Sequence, residues 1–548
     1  MEEKKLNKDW VIEMIHLGEN GDGQAYDELG LCYRDGDGVE KDIKQAELYF
    51  SLAVDKGYFY ALNHLGDIYI DSDDEKIVQE GVGCYQEAID SGDEHAWYNM
   101  GWCYEFGIGV EEDEEKALKY YEVAAEFGIG GAMLRSGNIL VKRKEIDKAI
   151  VMFEKAVDSL QSIRSKAAYN LGLIYEIEED HIDGEKSLFW YLKAVELGDV
   201  RVNFDVGSLY YKGELIPKDG KKAVFYYEQG ANAEDADCTA SLAVCYHEGT
   251  GVEKDAKRAF ELFKKGANLG NAVAQCYLGE YYNFGYVTRK DYKKAFYWYS
   301  QAAEQEHITA QYNVAVCYEN GKGVKKNNDL AVEWYEKAAD NGFVEAEYDL
   351  GEAYDNGTIV PQNDNSAFEW YLKAAKDGHI MAMHNVGLCY YTGQGCEKDE
   401  KKALYWFTEA AEQALPEALL QLGNFYYYGL VVEQDYKKGF KYFQSAANCG
   451  CMLAYNNLGI AYQEGKAVEP NLPFSIECFQ KAIDAGIPKA YYNMGRSYEL
   501  GMGVEQDLKQ AAKLYGKAVE SGVKEGMLGL ARVIKIHEME KESNKHLS

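Results

Sequence analysis

The sequence predicts an all-α fold, a right-handed superhelical solenoid of stacked helix pairs, and three observations carry that prediction. The chain repeats itself every 35 or 36 residues. Within each repeat the apolar residues recur with the helical period of about 3.6. Only six prolines occur in 548 residues (217, 361, 416, 470, 473, 488), all in expected loops or first helical turns, as a mostly helical chain requires.

Aligned on itself, the chain gives fourteen repeats, which begin at Ala25, Ala61, Ala96, Ala132, Ala167, Val202, Cys238, Ala274, Ala310, Ala346, Ala382, Ala418, Ala454 and Ala490. The third repeat shows the pattern. Ala96, Met100, Cys103 and Tyr104 fall at i, i+4, i+7 and i+8, one apolar face of a first helix. The equivalent of Tyr104 is tyrosine in 13 of 14 repeats, Leu140 being the exception. Gly101 sits inside that helix, where glycine costs about 1 kcal/mol relative to alanine. Twelve repeats keep it, with Ala243 and Ala315 in the other two, so a neighbouring helix is expected to approach the backbone there.

Gly107-x-Gly109-Val110 ends the first helix, because glycine readily takes the left-handed cap conformation. Asp113 suits the N-cap of a second helix. That helix carries Ala117, Tyr120, Tyr121, Ala124 and Ala125, small residues between large rings, and Gly128 ends it. One such pair has too little core to fold alone, so stacking supplies the rest. Residues 1–24 read as an N-terminal capping helix (Trp10, Val11, Met14, Ile15, Leu17), 25–525 as the repeats, 526–540 as a closing helix and 541–548 as a polar, frayed tail.

Three repeats depart from the pattern. The second has Ser72-Asp73-Asp74-Glu75 in place of the glycine loop, and the fourth has Arg143-Lys144-Glu145. The fourth also extends its exit through Ser159-Leu160-Gln161-Ser162-Ile163-Arg164, and the fifth carries Glu178-Glu179-Asp180-His181. A bend or docking knob is expected near residues 141–184, with loop drift as the alternative.

Composition narrows the function. A net charge of −34 opposes general nucleic-acid binding and attachment to an anionic membrane. Met1 to Trp10 has no apolar run, and no stretch nears the roughly 20 apolar residues of a membrane span, so a cytosolic location is expected. Of twelve cysteines, Cys32, Cys103, Cys245, Cys317 and Cys389 share one position on the first helix, where other repeats place isoleucine, leucine or alanine. They read as small apolar core residues. No CxxC, HExxH or GxxxxGK[ST] occurs, and Asp71-Ser72-Asp73-Asp74-Glu75 has Lys76 where a calcium loop needs glycine. No catalytic, cofactor-binding or metal site is assigned.

The pattern A-x-Y-N-L-G…Y…G-x-G-V…D…K-A…W/Y-Y…A-A…G resembles the Sel1-like repeat family, relatives of the tetratricopeptide repeats. It stands here as Ala310-Gln311-Tyr312-Asn313-Val314-Ala315 and Ala490-Tyr491-Tyr492-Asn493-Met494-Gly495, and the resemblance covers about residues 25–535. It implies an adaptor or scaffold of bacterial style, with the first helices lining a concave surface.

On those helices the fourth position holds Asn99, Asn170, Asn313, Asn385, Asn457 and Asn493. A ladder of amides offers donors and acceptors to an extended peptide; alternatively, these asparagines tie each repeat to the next. Trp102, Phe106, Tyr211, Phe284, Tyr391, Tyr427 and Tyr428 stand seven, ten or eleven residues into their repeats, where the pattern demands no aromatic. Binding hot spots are enriched in such side chains. Glu105, Glu176, Glu248, Glu280, Glu319, Glu352 and Asp355 share that ridge. The expected partner is a protein or peptide with apolar anchors and some Lys or Arg. The competing readings are a secreted or envelope-associated protein contacting host or cell wall, and a small-ligand receptor or enzyme with its site in the groove.

Overall fold

The computed structural model describes residues 8–159 and 162–546. Among them are fourteen helix pairs, preceded by the helix Lys8–Glu19 and followed by Glu525–His546, with no strand. The pairs fall into two compact bodies, Met1–Ala274 and Gln275–Ser548, the division lying in the first turn of the helix Ala272–Phe284. In each body, helices consecutive in sequence pack against one another, as in an α/α solenoid.

The third repeat forms the helices Glu94–Phe106 and Glu114–Glu126. Gly107 caps the first in the left-handed region at φ 67°, and its N–H bonds the Cys103 carbonyl. The Asp113 carboxylate accepts from the Lys116 N–H at 2.9 Å and starts the second. Asp42, Asp74, Asp183, Asp219, Asp255, Asp291, Asn327, Asn363, Asp399, Asp435, Asn471 and Asp507 do the same elsewhere. Each N-cap satisfies an N–H that lacks an intrahelical partner.

The glycine that recurs in twelve repeats admits a ring, not a backbone. A Cβ on Gly101 would stand 2.7 Å from the Tyr121 ring of the second helix, and all twelve equivalent glycines face such a ring. Tyr121, Tyr191, Tyr371 and Tyr515, or Phe50, Phe153, Phe407 and Phe479, fill this place and are at most 2% exposed. Burial of a ring of this size stabilises by about 2–3 kcal/mol, more than the helical cost of the glycine.

Cys103, Cys245 and Cys317 are buried, while Cys32 and Cys389 are half-buried; all twelve thiols are free. Burial pushes the Cys103 and Cys245 thiols up to about 12.

At the irregular repeats, substitute contacts join the altered loops. Lys144, held at φ 60°, pairs with Glu178 at 3.1 Å, and His181 meets Asp147 at 3.0 Å. Leu160 and Gln161 of the extended exit lie outside the described residues. At the N-terminus, Trp10, Val11, Met14 and Ile15 pack on the core of the first repeat, whereas Leu17 is exposed. Residues 1–7 of the expected cap lie outside the described residues. The final helix runs on to His546, beyond the frayed end expected at about residue 540, because the Lys- and Glu-rich stretch is made of good helix formers. Ser548 and its neighbour 547 lie outside the described residues. No helix among the described residues is long and apolar enough to cross a membrane.

Candidate functional site

The six asparagines of the fourth position all reach back to the preceding repeat. Asn99 donates to Asn63 at 3.0 Å and to Asp67 at 3.1 Å. Asn170 donates to Asn138 at 2.9 Å, Asn457 to Asn424 at 3.0 Å and Asn493 to Asn456 at 2.7 Å. Asn313 stands beside the Cys276 thiol and Asn385 beside the Tyr348 hydroxyl, both also in the preceding repeat. These bonds tie the fourth position to the preceding repeat, and each amide has further hydrogen-bonding capacity beyond them. The acceptors sit at the third or seventh position of the repeat before, one helical turn apart and on one face.

The aromatics divide by burial. Phe106 and Phe284 are each 52% exposed and Tyr428 is 43% exposed, whereas Trp102, Tyr211 and Tyr391 are half-buried. Tyr427 corrects the sequence reading: it is 1% exposed and belongs to the core. Its ring packs on Phe443 and Tyr436, and its hydroxyl donates to Glu464 at 3.0 Å. The sequence held a signal for this. Gly439 stands where other repeats have an alanine such as Ala117 or Ala403, and a Cβ there would lie 2.5 Å from the Tyr427 nitrogen. The missing methyl lets the Tyr427 backbone lie close against the second helix.

The acidic ridge is largely spent inside the fold. Glu105 accepts from the buried Tyr121 hydroxyl at 2.6 Å, Glu176 from Tyr191 at 2.5 Å, Glu319 from Tyr335 at 2.7 Å and Asp355 from Tyr371 at 3.3 Å. Glu248 takes the Tyr211 hydroxyl at 2.6 Å, Glu352 takes that of Tyr348 at 2.9 Å, and Arg135 adds an ion pair to Glu105 at 3.0 Å. Burial raises the Glu280 carboxyl.

One group of the expected residues comes together, in the second body, whereas in the first Asn170 is the one expected residue at a pocket. In the first body Asn138, Asn170, Phe153, Ile174 and Ile177 line an apolar notch of about 170 Å³. In the second body Tyr391, Tyr428, Asn457 and Asn493 share a pocket of about 800 Å³ with Leu420, Gln421, Asn424, Leu453 and Asn456. Apart from short adjoining loops and Glu525 at the start of the final helix, its walls are first helices of the eleventh to fourteenth repeats. Trp102, Phe106, Tyr211, Phe284, Asn99, Asn313 and Asn385 lie outside both. Among the described residues no group of three or more His, Cys, Asp or Glu could hold a metal ion.

Helix pairs in series, capped by Asp or Asn and closed by glycine turns, with a pocket on the first-helix face, define a helical-repeat protein of the solenoid class. The model of the Sel1 repeat matches thirteen segments, 23–58, 95–129, 123–159 and onward through 488–523, and the chain belongs to the Sel1 repeat family. The unmatched stretch is the second repeat, the one with the acidic loop. The solved structure of c5321, a protective antigen present in uropathogenic Escherichia coli strains, superposes with a TM-score of 0.57 at 30% identity, over 89% of this chain and 97% of that one. Human protein sel-1 homolog 2 is 24% identical over 38% of this chain and 32% of its own length. Rat DAP3-binding cell death enhancer 1 is 31% identical over 32% of this chain and 33% of its own. The chain thus spans about a third of the length of these two relatives.

Proposed function

We propose that the chain is a cytosolic scaffold or adaptor that captures a partner protein on the face formed by its first helices and catalyses no reaction. The observation that carries this reading is the pocket of the second body. Exposed Tyr428 and half-buried Tyr391 stand there beside amides and aliphatic side chains, the mixture of large rings and adaptable polar groups from which protein-binding hot spots are made. In solenoids of this kind the first helices line the concave surface, and the family's protein-binding character supports the same use here. Buried, unpaired thiols at packing positions support a reducing compartment. Capture from native lysate by the wild type and by a Tyr391→Ala/Tyr428→Ala variant tests it. The wild type retains a defined protein that the variant loses while keeping its circular dichroism; equal retention contradicts the site.

One observation favours a second reading, that the chain meets a host or envelope component. The similar Escherichia coli protein is a protective antigen. Surface labelling of intact cells decides it: protection of the chain from a membrane-impermeant reagent supports the cytosolic reading, and labelling supports the other.

A further inference from the structure

The pocket of the second body holds a continuous relay of amides. Asn424 donates to Gln421 at 3.4 Å, Asn457 to Asn424 at 3.0 Å, Asn456 to Asn457 at 3.3 Å and Asn493 to Asn456 at 2.7 Å. The relay crosses three successive first helices, Pro416–Tyr428, Met452–Glu464 and Pro488–Leu500, and all five amides line the pocket. A primary amide has two N–H donors and a carbonyl with two lone pairs. Each interior member spends one of each in the relay, which leaves it one donor and one acceptor. Gln421, at one end, keeps both N–H groups. An extended peptide presents the same currency, one N–H and one C=O per residue along its edge, whereas a helix has already satisfied both internally.

Charge narrows the ligand further. Of the charged residues lining the pocket there is one of each sign, Lys489 and Glu525, in a chain of net charge −34. A basic segment therefore finds no complementary cluster at this place. The side walls are aliphatic and aromatic, with Leu420, Leu453 and Tyr428 among them.

We infer that the twelfth to fourteenth repeats bind an uncharged, extended peptide segment through its main chain, with aliphatic or aromatic side chains seated on the pocket walls. This rests on the reading of the pocket as the partner site and replaces its expected basic partner, at this place, with a neutral one. The relay supplies hydrogen bonds that any sequence can accept, and the apolar walls choose among sequences.

A random peptide library displayed on phage and panned on the full chain tests the inference. Enriched peptides are expected to be neutral and rich in aliphatic or aromatic residues. A synthetic version of the best one should lose about tenfold or more in affinity, over 1.4 kcal/mol, when alternate backbone nitrogens are methylated. It should lose a similar factor against Asn457→Leu. Gln421→Leu, which removes a member with a single relay bond, is a second variant that leaves the rest of the relay intact, and both are checked by circular dichroism. Enrichment of Lys- and Arg-rich peptides, indifference to methylation, unchanged binding to both variants, or no enrichment over bare support would each overturn the inference. Lysate capture that depends on Tyr391 and Tyr428 is independent of all these outcomes, so the inference can fail while the scaffold reading stands.

Discussion

At the scale of single residues, the fourth position shows how one side chain decides between a neutral and a proton-dependent joint. Six of the fourteen repeats use asparagine there, whereas the sixth has Asp205 and the tenth Asp349. Burial, then the neighbouring Glu176 carboxylate, raises Asp205 to about 7, and burial raises Asp349 to about 6 although the Tyr312 hydroxyl bonds it at 2.9 Å. For a carboxyl whose folded value lies above its unfolded one, the folded state holds the extra proton. Its contribution is intact below about pH 4 and is lost as pH rises toward 7. Asp205→Asn restores the family's amide and should therefore stabilise the chain more at pH 8 than at pH 4, by about 1–3 kcal/mol, read as a denaturation midpoint at both pH values. An equal shift at the two pH values would contradict the assignment. The ring-bearing glycine gives a second residue-level expectation. Gly101→Ala brings a methyl 2.7 Å from the Tyr121 ring, so despite alanine's better helix propensity it should lower stability by about 1–2 kcal/mol in the same measurement.

At the scale of the element, helix ends carry the repeat. Ten repeats close the second helix with a glycine in the left-handed region, such as Gly128 at φ 87°. The sixth, eighth and eleventh place Glu234, Glu306 and Ala414 there at φ 60°, 62° and 60°, where a side chain is strained. Ala414→Gly should raise the melting temperature, by about 0.5–1 kcal/mol of stability, and no rise would show that the turn tolerates a methyl. Asp113→Ala removes the N-cap bond to Lys116 and should cost about 1 kcal/mol. These elements were legible in the sequence because glycine, Asp and the helical period have local causes. The ring opposite Gly101 was not, since a glycine inside a helix records a close approach without saying what approaches. Tyr427 was misplaced for a related reason: position along a helix gives a face, but how deeply a residue lies depends on the close backbone approach that Gly439 permits, 12 residues on in the next helix. The relay partners Asn424 and Asn456 were passed over because only the fourth position repeats as asparagine; the third and seventh vary.

At the scale of the molecule, fourteen helix pairs in two bodies distribute stability, within each body, as near-neighbour contacts. Within each body such an architecture presents a face built from several repeats, which fits an account in which the chain holds a partner. The acidic ridge contributes less to that surface than its composition implied, because Glu105, Glu176, Glu319 and Asp355 accept hydrogen bonds from buried tyrosines. Capture should accordingly change little, by less than about tenfold, between 50 and 200 mM salt, whereas a partner bound chiefly by ion pairs would be released. The most direct measurement of the central claim is photocrosslinking in cells with a benzophenone side chain placed at Tyr428 in the pocket or at Tyr405, which is 54% exposed but does not line it. The account predicts a discrete crosslinked partner from position 428 and none from 405. Equal crosslinking at both, or a partner trapped from 405 alone, would contradict it.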